Sequence, residues 1–317
     1  MKNILENKHE GRLRTGWRVS FFLIGLIITW IITGIIKGYI TDFSPAWLSN
    51  SVAFILTACF ITLFIYISGI AVDRRSLSSY GLTINTLWTK DLIVGIVIAG
   101  AVSSFLYITG LILGWYEFVG FRLDRNGIIF SFIGNLIMMA SVAYYEELVF
   151  RGYLCLNIYE GFNKKGRAQW IPILVAIMSV STFFGIAHAI NPNSTVLGVA
   201  NIMLAGFMLS VPFFLTGNLG MAIGIHFAWN FFQGPLLGLP VSGIIFNNSL
   251  IRTTFENDQL ITGAKFGMEG GLIGTLGIVL ILLISWWYLR KRVPGFTTHP
   301  AIQSQTVLIS GRWGQHP

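Results

Sequence analysis

The sequence predicts an all-α protein, a polytopic membrane bundle of about eight transmembrane helices. Hydrophobic residues make up 54% of the 317-residue chain, charged residues only 11%, and the mean hydropathy is +0.70. A soluble globular domain typically carries about 25% charged residues. A spanning helix needs roughly 20 apolar residues, and runs of about that length recur along the chain. They lie at about 17–40, 48–72, 92–115, 128–150, 169–188, 196–215, 219–239 and 270–289.

The basic residues predict which face of the membrane holds the termini. Eight spans place both termini on one face, and sixteen of the 21 Lys and Arg residues fall there, including Arg151 in the fourth connection. By the positive-inside rule both termini are then cytoplasmic. The net charge of +8 is accounted for by this topology and by contact with anionic lipid. We therefore expect a multi-pass protein of the cell (inner) membrane with no nucleic-acid partner. The other face holds Lys37, Arg122, Arg125, Arg252 and Lys265.

One membrane domain, residues 16–293, is expected between two short cytoplasmic tails, 1–15 and 294–317. The first apolar run is longer than the core of a signal peptide, about 7 to 15 residues, so it is expected to remain as the first span. The longest polar connection, about 240–269, either covers the membrane surface or only links two spans. Two cysteines are too few for a disulfide framework or a cysteine-based zinc site. The two cysteines are Cys59 and Cys155. The histidines in the tails, His9, His299 and His316, are expected to have no functional role.

Two adjacent carboxylates, Glu146 and Glu147, lie inside an apolar run. The other eleven of the 13 acidic residues are assigned to tails or to polar connections. A charged side chain at the centre of a bilayer costs roughly 2.5 to 3.5 kcal/mol on insertion scales. A chain that keeps two of them is expected to use them, in a buried catalytic or ion-handling site.

Helical spacing gives the two acids different surroundings. Glu147 and Arg151 are i, i+4 neighbours and are expected to form an ion pair, while Glu146 is rotated by about 100° and faces elsewhere. We therefore expect Glu147 to be neutralised and Glu146 to remain available for chemistry. The alternative is a single structural charge cluster made of both acids and Arg151.

Two histidines on later spans have a partner one helical turn away. Phe184 and His188 share one helix face, as do His226 and Asn230. Each histidine alone is more often a packing residue. Both together, with an intramembrane glutamate, favour a site.

The expected depths of these side chains agree under one condition. Glu146 and His188 are each about 20 residues from the turn between their spans, or about 30 Å at 1.5 Å per residue. His226 follows its own cytoplasmic turn, near Gly217, by nine residues, or about 13 Å. The three side chains meet if the polar hairpin around Lys164 protrudes about 15 Å into the cytoplasm. The site then lies about a third of the way into the membrane from the cytoplasm.

Three elements occur in order on successive spans: Glu-Glu-x-x-x-Arg, Phe-x-x-x-His and His-x-x-x-Asn. They resemble those of the CPBP intramembrane proteases, the family of type II CAAX prenyl endopeptidases and of bacterial bacteriocin-processing or self-immunity (Abi) proteins. The resemblance covers residues 146–230, with a motif core of 141–240. It implies an intramembrane endopeptidase that hydrolyses peptide bonds of membrane-associated or lipidated peptides or proteins.

The resemblance also implies roles for single residues. Glu146 would act with His188 to activate the attacking water. His226 and Asn230 would stabilise the oxyanion, where each preorganised donor typically contributes about 3 kcal/mol. The residue types suit these roles, because a carboxylate is a suitable general base and imidazole and amide N–H groups are suitable donors. The residues that would support this set are Glu147, Arg151 and Phe184.

The same side chains admit a metal-dependent interpretation. Glu146, His188 and His226 form a two-histidine, one-carboxylate set suited to zinc with an open fourth position. The helical H-E-x-x-H arrangement of many zinc proteases is missing. The expected cofactor is therefore zinc or none.

Two functions from other classes compete with proteolysis. One is a catalytically silent membrane scaffold or bacteriocin immunity protein that keeps the family fold. The other is a proton-coupled transporter, since intramembrane Glu and His chains also mark pumps. A transporter predicts a repeat between the two halves, and the first four spans have no counterpart of the Glu, His and Asn set. The intact motifs favour the protease, with the lipid bilayer and a peptide or lipidated protein substrate as its partners.

Overall fold

The computed structural model describes residues 4–7, 11–42, 45–122, 127–164, 166–255, 258–293 and 297–303. Of the residues singled out above, His9, Arg125 and His316 lie outside this part of the chain. The described part is mostly helical, with two small two-stranded sheets. The expected polytopic helical bundle is confirmed.

Long apolar helices form the bundle, and within the described ranges seven are long and apolar enough to span a membrane. Large apolar side chains on their outer faces are exposed, such as Ile24 at 56% and Val97 at 62%. A surface of this kind is suited to lipid, where a helix satisfies its own backbone groups. The α-helices are α1 Thr15–Thr41, α2 Ala46–Ser68, α3 Thr86–Ile112, α4 Ile128–Glu147, α5 Leu156–Phe162, α6 Trp170–His188, α7 Val196–Thr216, α8 Gly220–Phe231, α9 Leu272–Arg292 and α10 Pro300–Gln303.

Short elements extend the helices and order the connections. Strand β1 pairs antiparallel with β2, and β3 pairs antiparallel with β4. The strands are β1 Glu6–Asn7, β2 Arg12–Leu13, β3 Tyr116–Phe121 and β4 Ile251–Phe255; the π-helical segments are Gly69–Asp73, Leu148–Cys155 and Phe232–Leu236; the 3-10 segments are Leu77–Tyr80, Ala264–Phe266 and Met268–Gly270.

The seventh expected span, 219–239, is shorter in the structure than the sequence predicts. Helix α8 has 12 residues, and the π-helical segment after it adds 5. Pro235 lies in that segment, and proline removes a backbone donor and clashes with the preceding turn. Together these residues rise about 25 Å, so the segment is not among the long spans.

Contacts at the two ends of α8 show that it nevertheless runs from one end of the bundle to the other. Asn218, just before α8, donates to the carboxylate of Asp91 in the first turns of α3 at 2.9 Å. The Leu219 N–H donates to the carbonyl of Gly81, just before α3. At the far end, β3 follows α3, β4 follows α8, and these two strands pair. Helix α8 therefore runs beside α3 in the same direction and connects the two ends of the bundle.

The two ends of the bundle can be named from these contacts. At the end that we call the termini face, Arg12 of the N-terminal segment contacts both the Asp73 carbonyl and the Glu160 carboxylate. Arg292, at the end of α9, pairs with Asp91 at the same end. The other end, called the opposite face, contains the 189–195 and 237–271 connections. These are joined by a hydrogen bond from the Asn191 side chain to the Ser242 carbonyl, 3.1 Å long.

Two assignments made from the sequence are wrong at the termini face. Asp73, Asp91 and Glu160 lie in the end turns of helices rather than in polar connections, and they are 0%, 0% and 6% exposed. Arg151 does not lie in the fourth connection, because α4, its π-helical extension and α5 continue without a break to Phe162. Each of these four charged side chains has an ion-pair partner. The partner stabilises the charge, so the side chain can be buried without contact with water.

Described parts of both tails pack on the bundle. Arg12 is 3% exposed, and Ile302 is 4% exposed and belongs to the main core. The His299 N–H donates to the Phe214 carbonyl at 2.9 Å. Burial, and then the nearby Arg292 charge, lower the pKa of His299 below its usual value. The tails therefore contribute to the packing of the termini face.

The hydrophobic core consists of two large clusters that meet at the seam between α4 and α8. One cluster joins α1, α2, the α4–α5 segment and α6 with parts of α7 and α8, and the other joins α3, α9 and the remaining core residues of α7 and α8. A third, smaller cluster contains Met139 of α4 and Phe231 of α8. Phe227 packs against both clusters. Side chains that leave α4 and α8 at this seam face one another.

Candidate active site

Glu146, His188, His226 and Asn230 all line one cavity of about 600 Å³. They come from the end of α4, the end of α6 and the second half of α8. Pockets that hold small ligands typically measure about 300 to 1,000 Å³. The tertiary structure therefore brings together the four residues that the motifs predict, and their roles in chemistry stay predictions.

One carboxylate oxygen of Glu146 is buried and makes no hydrogen bond within the described part of the protein. Its side chain is 17% exposed, and among the described residues its buried Oε2 has no hydrogen-bond partner. A buried acceptor without a partner typically costs about 1 to 3 kcal/mol. Such a group is usually explained by a bound water or by a functional role.

Glu147 has partners on two sides. Its Oε1 accepts a hydrogen bond from Nη1 of Arg151 at 2.8 Å and contacts Nδ1 of His226 at 2.8 Å. The side chains of Glu147 and Arg151 are both 0% exposed. The expected i, i+4 ion pair is therefore present, and it also contacts a histidine of the candidate site.

His226 lies between the two acids. An ionised carboxylate only accepts hydrogen bonds, so Nδ1 of His226 is the donor toward Glu147. Nε2 of the same ring lies 3.8 Å from Oε2 of Glu146. That distance is too long for a direct hydrogen bond. The sequence did not predict that Glu147 orients His226, because the two residues are 79 positions apart.

His188 ends α6, and its orientation is set by its own helix. Nδ1 of His188 lies 2.8 Å from the carbonyl of Phe184, one turn earlier. A carbonyl only accepts, so Nδ1 carries the proton and the neutral ring keeps a lone pair on Nε2. The second nitrogen of His188 is therefore available as an acceptor.

The Phe184 ring connects the ion pair to His188. The Arg151 guanidinium lies 4.6 Å from the Phe184 ring centroid, and the His188 ring packs edge-on at 4.7 Å. A second nitrogen of Arg151 donates to the Gly206 carbonyl on α7 at 3.2 Å. Phe184 and Arg151 thus hold α4, α6 and α7 together beneath the cavity.

Asn230 follows His226 by one helical turn and is partly exposed to the cavity. Positions i and i+4 lie on one helix face, so its side-chain amide lies on the same side of α8 as His226. An amide NH₂ has two donors, which suits the stabilisation of a developing negative charge.

Glu269 is a further acidic residue on the cavity wall, and it lies outside the three motif elements. Its Oε1 accepts from the N–H and the Oγ of Ser242 at 2.8 and 2.9 Å, and its Oε2 accepts from Gln233. Burial raises the pKa of Glu269, against the smaller lowering effect of these hydrogen bonds. The signal in the sequence is the group of glycines around Glu269, namely Gly267, Gly270, Gly271 and Gly274, because glycine is used where backbone segments approach closely.

The metal-dependent interpretation can be compared with the positions of the donors. In the described ranges, no group of three or more His, Cys, Asp or Glu side chains is arranged to hold a metal ion. His226 also directs Nδ1 to Glu147, which leaves Nε2 alone for a ligand role. Zinc at Glu146, His188 and His226 stays a prediction.

The comparison with known proteins agrees with the motifs. Residues 128–232 match the family model described as Rce1-like, the type II CAAX prenyl endopeptidase Rce1-like family. This segment contains the three motif elements and all four predicted site residues. No curated protein and no solved structure matches the chain.

Proposed function

We propose that this chain, which carries an Rce1-like type II CAAX prenyl endopeptidase domain at residues 128–232, is an intramembrane endopeptidase that uses Glu146 as its general base. The family model supports peptide-bond hydrolysis within a membrane. One observation carries the finer assignment: Glu146 lines the cavity whereas Glu147 does not, and the buried Oε2 of Glu146 has no hydrogen-bond partner in the described part of the protein. The substrate is a membrane-associated or lipidated peptide or protein.

Glu146 and His188 activate the water in this proposal. Glu146 accepts one proton of the water, and the Nε2 lone pair of His188 accepts a hydrogen bond that orients it. The water oxygen then forms a bond to the carbonyl carbon of the peptide. As the C–N bond breaks, Glu146 returns the proton to the leaving amine nitrogen, so that the acid-base cycle closes.

His226 and Asn230 stabilise the oxyanion that forms on the carbonyl oxygen. His226 can donate from Nε2 only when the ring is doubly protonated, since Nδ1 already donates to Glu147. Fixed donors of this kind typically contribute about 3 to 4 kcal/mol to the transition state.

The test is cleavage by the purified protein in detergent or in lipid nanodiscs. Farnesylated and unmodified versions of one peptide are incubated with wild type and with Glu146→Gln, and products are identified by mass spectrometry. We expect loss of cleavage in Glu146→Gln with an unchanged melting temperature. The matched control is Glu117→Gln, an exposed carboxylate in β3, which should retain full activity. Full activity in Glu146→Gln would refute its role as the base.

A further inference from the structure

We propose that the substrate enters the cavity from the opposite face of the bundle, the one away from the termini, as an extended peptide segment that lies along that surface. This inference rests on the proposed function, since it assigns the route by which a peptide reaches Glu146. Two observations support it: connections of the opposite face line the cavity, and packed side chains close the cavity toward the termini face.

The cavity is lined at one end by residues of the opposite face. Ser242, Asn247 and Asn248 belong to the 237–271 connection, and Asn191 belongs to the 189–195 connection. Lys37, in the last turns of α1, and Asn50, in the first turns of α2, border the first connection on the same face. None of the described residues that line the cavity comes from a connection on the termini face.

Toward the termini face the site is closed by packed side chains. Every residue from 147 to 157 is buried. Below Arg151, the Tyr153 ring stacks on Phe22 of α1 at 3.8 Å and tilts against Tyr80 at 5.4 Å. The Tyr80 hydroxyl in turn donates to the buried Asp73 at 2.6 Å. A peptide arriving from that side would have to separate this layer of aromatic side chains and buried ion pairs.

The chemistry of the mouth suits a peptide chain. We call Asn50, Asn191, Asn247 and Asn248 the amide rim. A carboxamide both donates and accepts, so the rim can bind the N–H and C=O groups of an extended backbone whatever its side chains. Ile190, Ile244 and Ile245 line the same cavity and are 88%, 54% and 57% exposed. Exposed apolar residues beside amides indicate an amphipathic ligand at a membrane surface.

Charge identifies the side of the membrane. The basic residues favour cytoplasmic termini by the positive-inside rule, even after Arg151 is assigned to the interior. The opposite face is then extracytoplasmic, and the substrate segment is one that has been exported or that protrudes from the outer surface. Lys37 is the one Lys or Arg among the described lining residues, so the mouth favours a segment without a basic cluster.

The experiment is cysteine labelling with a membrane-impermeant maleimide in spheroplasts of an expressing bacterium. The background is Cys59→Ser, which removes the exposed cysteine and keeps the buried Cys155. Asn135→Cys places a thiol on the cavity wall, 11 residues before Glu146, or about 16 Å along α4. Gln169→Cys, exposed between α5 and α6, marks the termini face. Labelling after denaturation measures the amount of each variant.

We expect Asn135→Cys to be labelled in intact spheroplasts and Gln169→Cys only after permeabilisation. Labelling of both thiols from the same side would overturn the proposal. So would protection of Asn135→Cys in intact and permeabilised spheroplasts alike. Labelling needs no substrate, so its outcome is independent of the cleavage test of Glu146→Gln. As a second readout, reaction of Asn247→Cys with the reagent should abolish cleavage by the purified protein, whereas reaction of Gln169→Cys should not.

Discussion

Replacement of Arg151 by alanine should unfold or strongly destabilise the protein. Arg151 and Glu147 form an ion pair in which both side chains are 0% exposed. Alanine leaves Glu147 with the His226 contact and no cation of fixed charge. It also removes the hydrogen bond to Gly206 and the guanidinium that packs on Phe184.

The size of the expected loss of stability follows from the burial of the ion pair between Glu147 and Arg151. Removal of one partner of a fully buried ion pair typically costs about 3 to 5 kcal/mol, because the remaining charge is not hydrated. For domains of about 150 to 250 residues a loss of 1 kcal/mol typically lowers the melting temperature by about 2 to 4 °C, and for a larger chain the decrease is somewhat smaller. We therefore expect a decrease on the order of 10 °C.

The measurement is thermal unfolding in detergent, followed by tryptophan fluorescence. Arg290→Ala is the matched control, since Arg290 is an exposed arginine on α9 that contacts Trp286; exposed charges typically contribute about 0 to 1 kcal/mol. The double variant Glu147→Gln, Arg151→Met removes both charges and keeps an amide oxygen for His226. It should recover most of the lost stability, because buried pairs replaced by neutral groups of similar volume are often neutral or stabilising.

The reasoning is refuted if Arg151→Ala melts within a few degrees of wild type, as the control should. A double variant as unstable as Arg151→Ala would also contradict it, because the loss would then come from packing and not from the unpaired charge of Glu147.

Three further predictions concern the chemistry of the cavity. Asn230→Ala should lower kcat by about 100-fold or more with KM nearly unchanged, as expected for a group that acts on the oxyanion; an equal rise in KM would indicate a binding role. Removal of divalent metal with a chelator should leave turnover unchanged, and a stoichiometric, chelator-sensitive zinc in the active protein would contradict the carboxylate mechanism. Burial raises the pKa of Glu269 above the unfolded value of 4.5, so its stabilising effect is complete below that pH and is lost as pH rises through the folded-state pKa. The melting temperature of wild type relative to Glu269→Gln should therefore increase as pH is lowered from 7 to 5, and a constant difference would show that Glu269 does not titrate as stated.

The fold class and the motif residues could be predicted because they depend on local properties of the chain. Hydrophobic runs of spanning length identify membrane helices whatever their partners. The i, i+4 spacing places Glu147 with Arg151 and His226 with Asn230 on shared helix faces. The ion pair between Glu147 and Arg151 could be predicted for the same reason.

Contacts between distant segments could not be predicted in this way. Glu147 meets His226 across 79 positions and Asn218 meets Asp91 across 127, and periodicity in one segment does not determine which other segment packs against it. The assignment of Arg151 to a connection failed for a related reason. A hydropathy window ends a span at a charge, whereas a buried partner lets the helix continue through it.

The sequence by itself therefore determined the membrane bundle, the ion pair on α4 and the residue types of the candidate site, since these depend on composition and on the geometry of a single helix. Only the tertiary structure decided that Glu147 orients His226, that Glu269 and the amide rim line the cavity, and that the cavity is closed toward the termini face. These features arise where α1, α4, α6, α8 and the 237–271 connection pack together, and side-chain packing between segments far apart in the chain exists only once the whole bundle has formed.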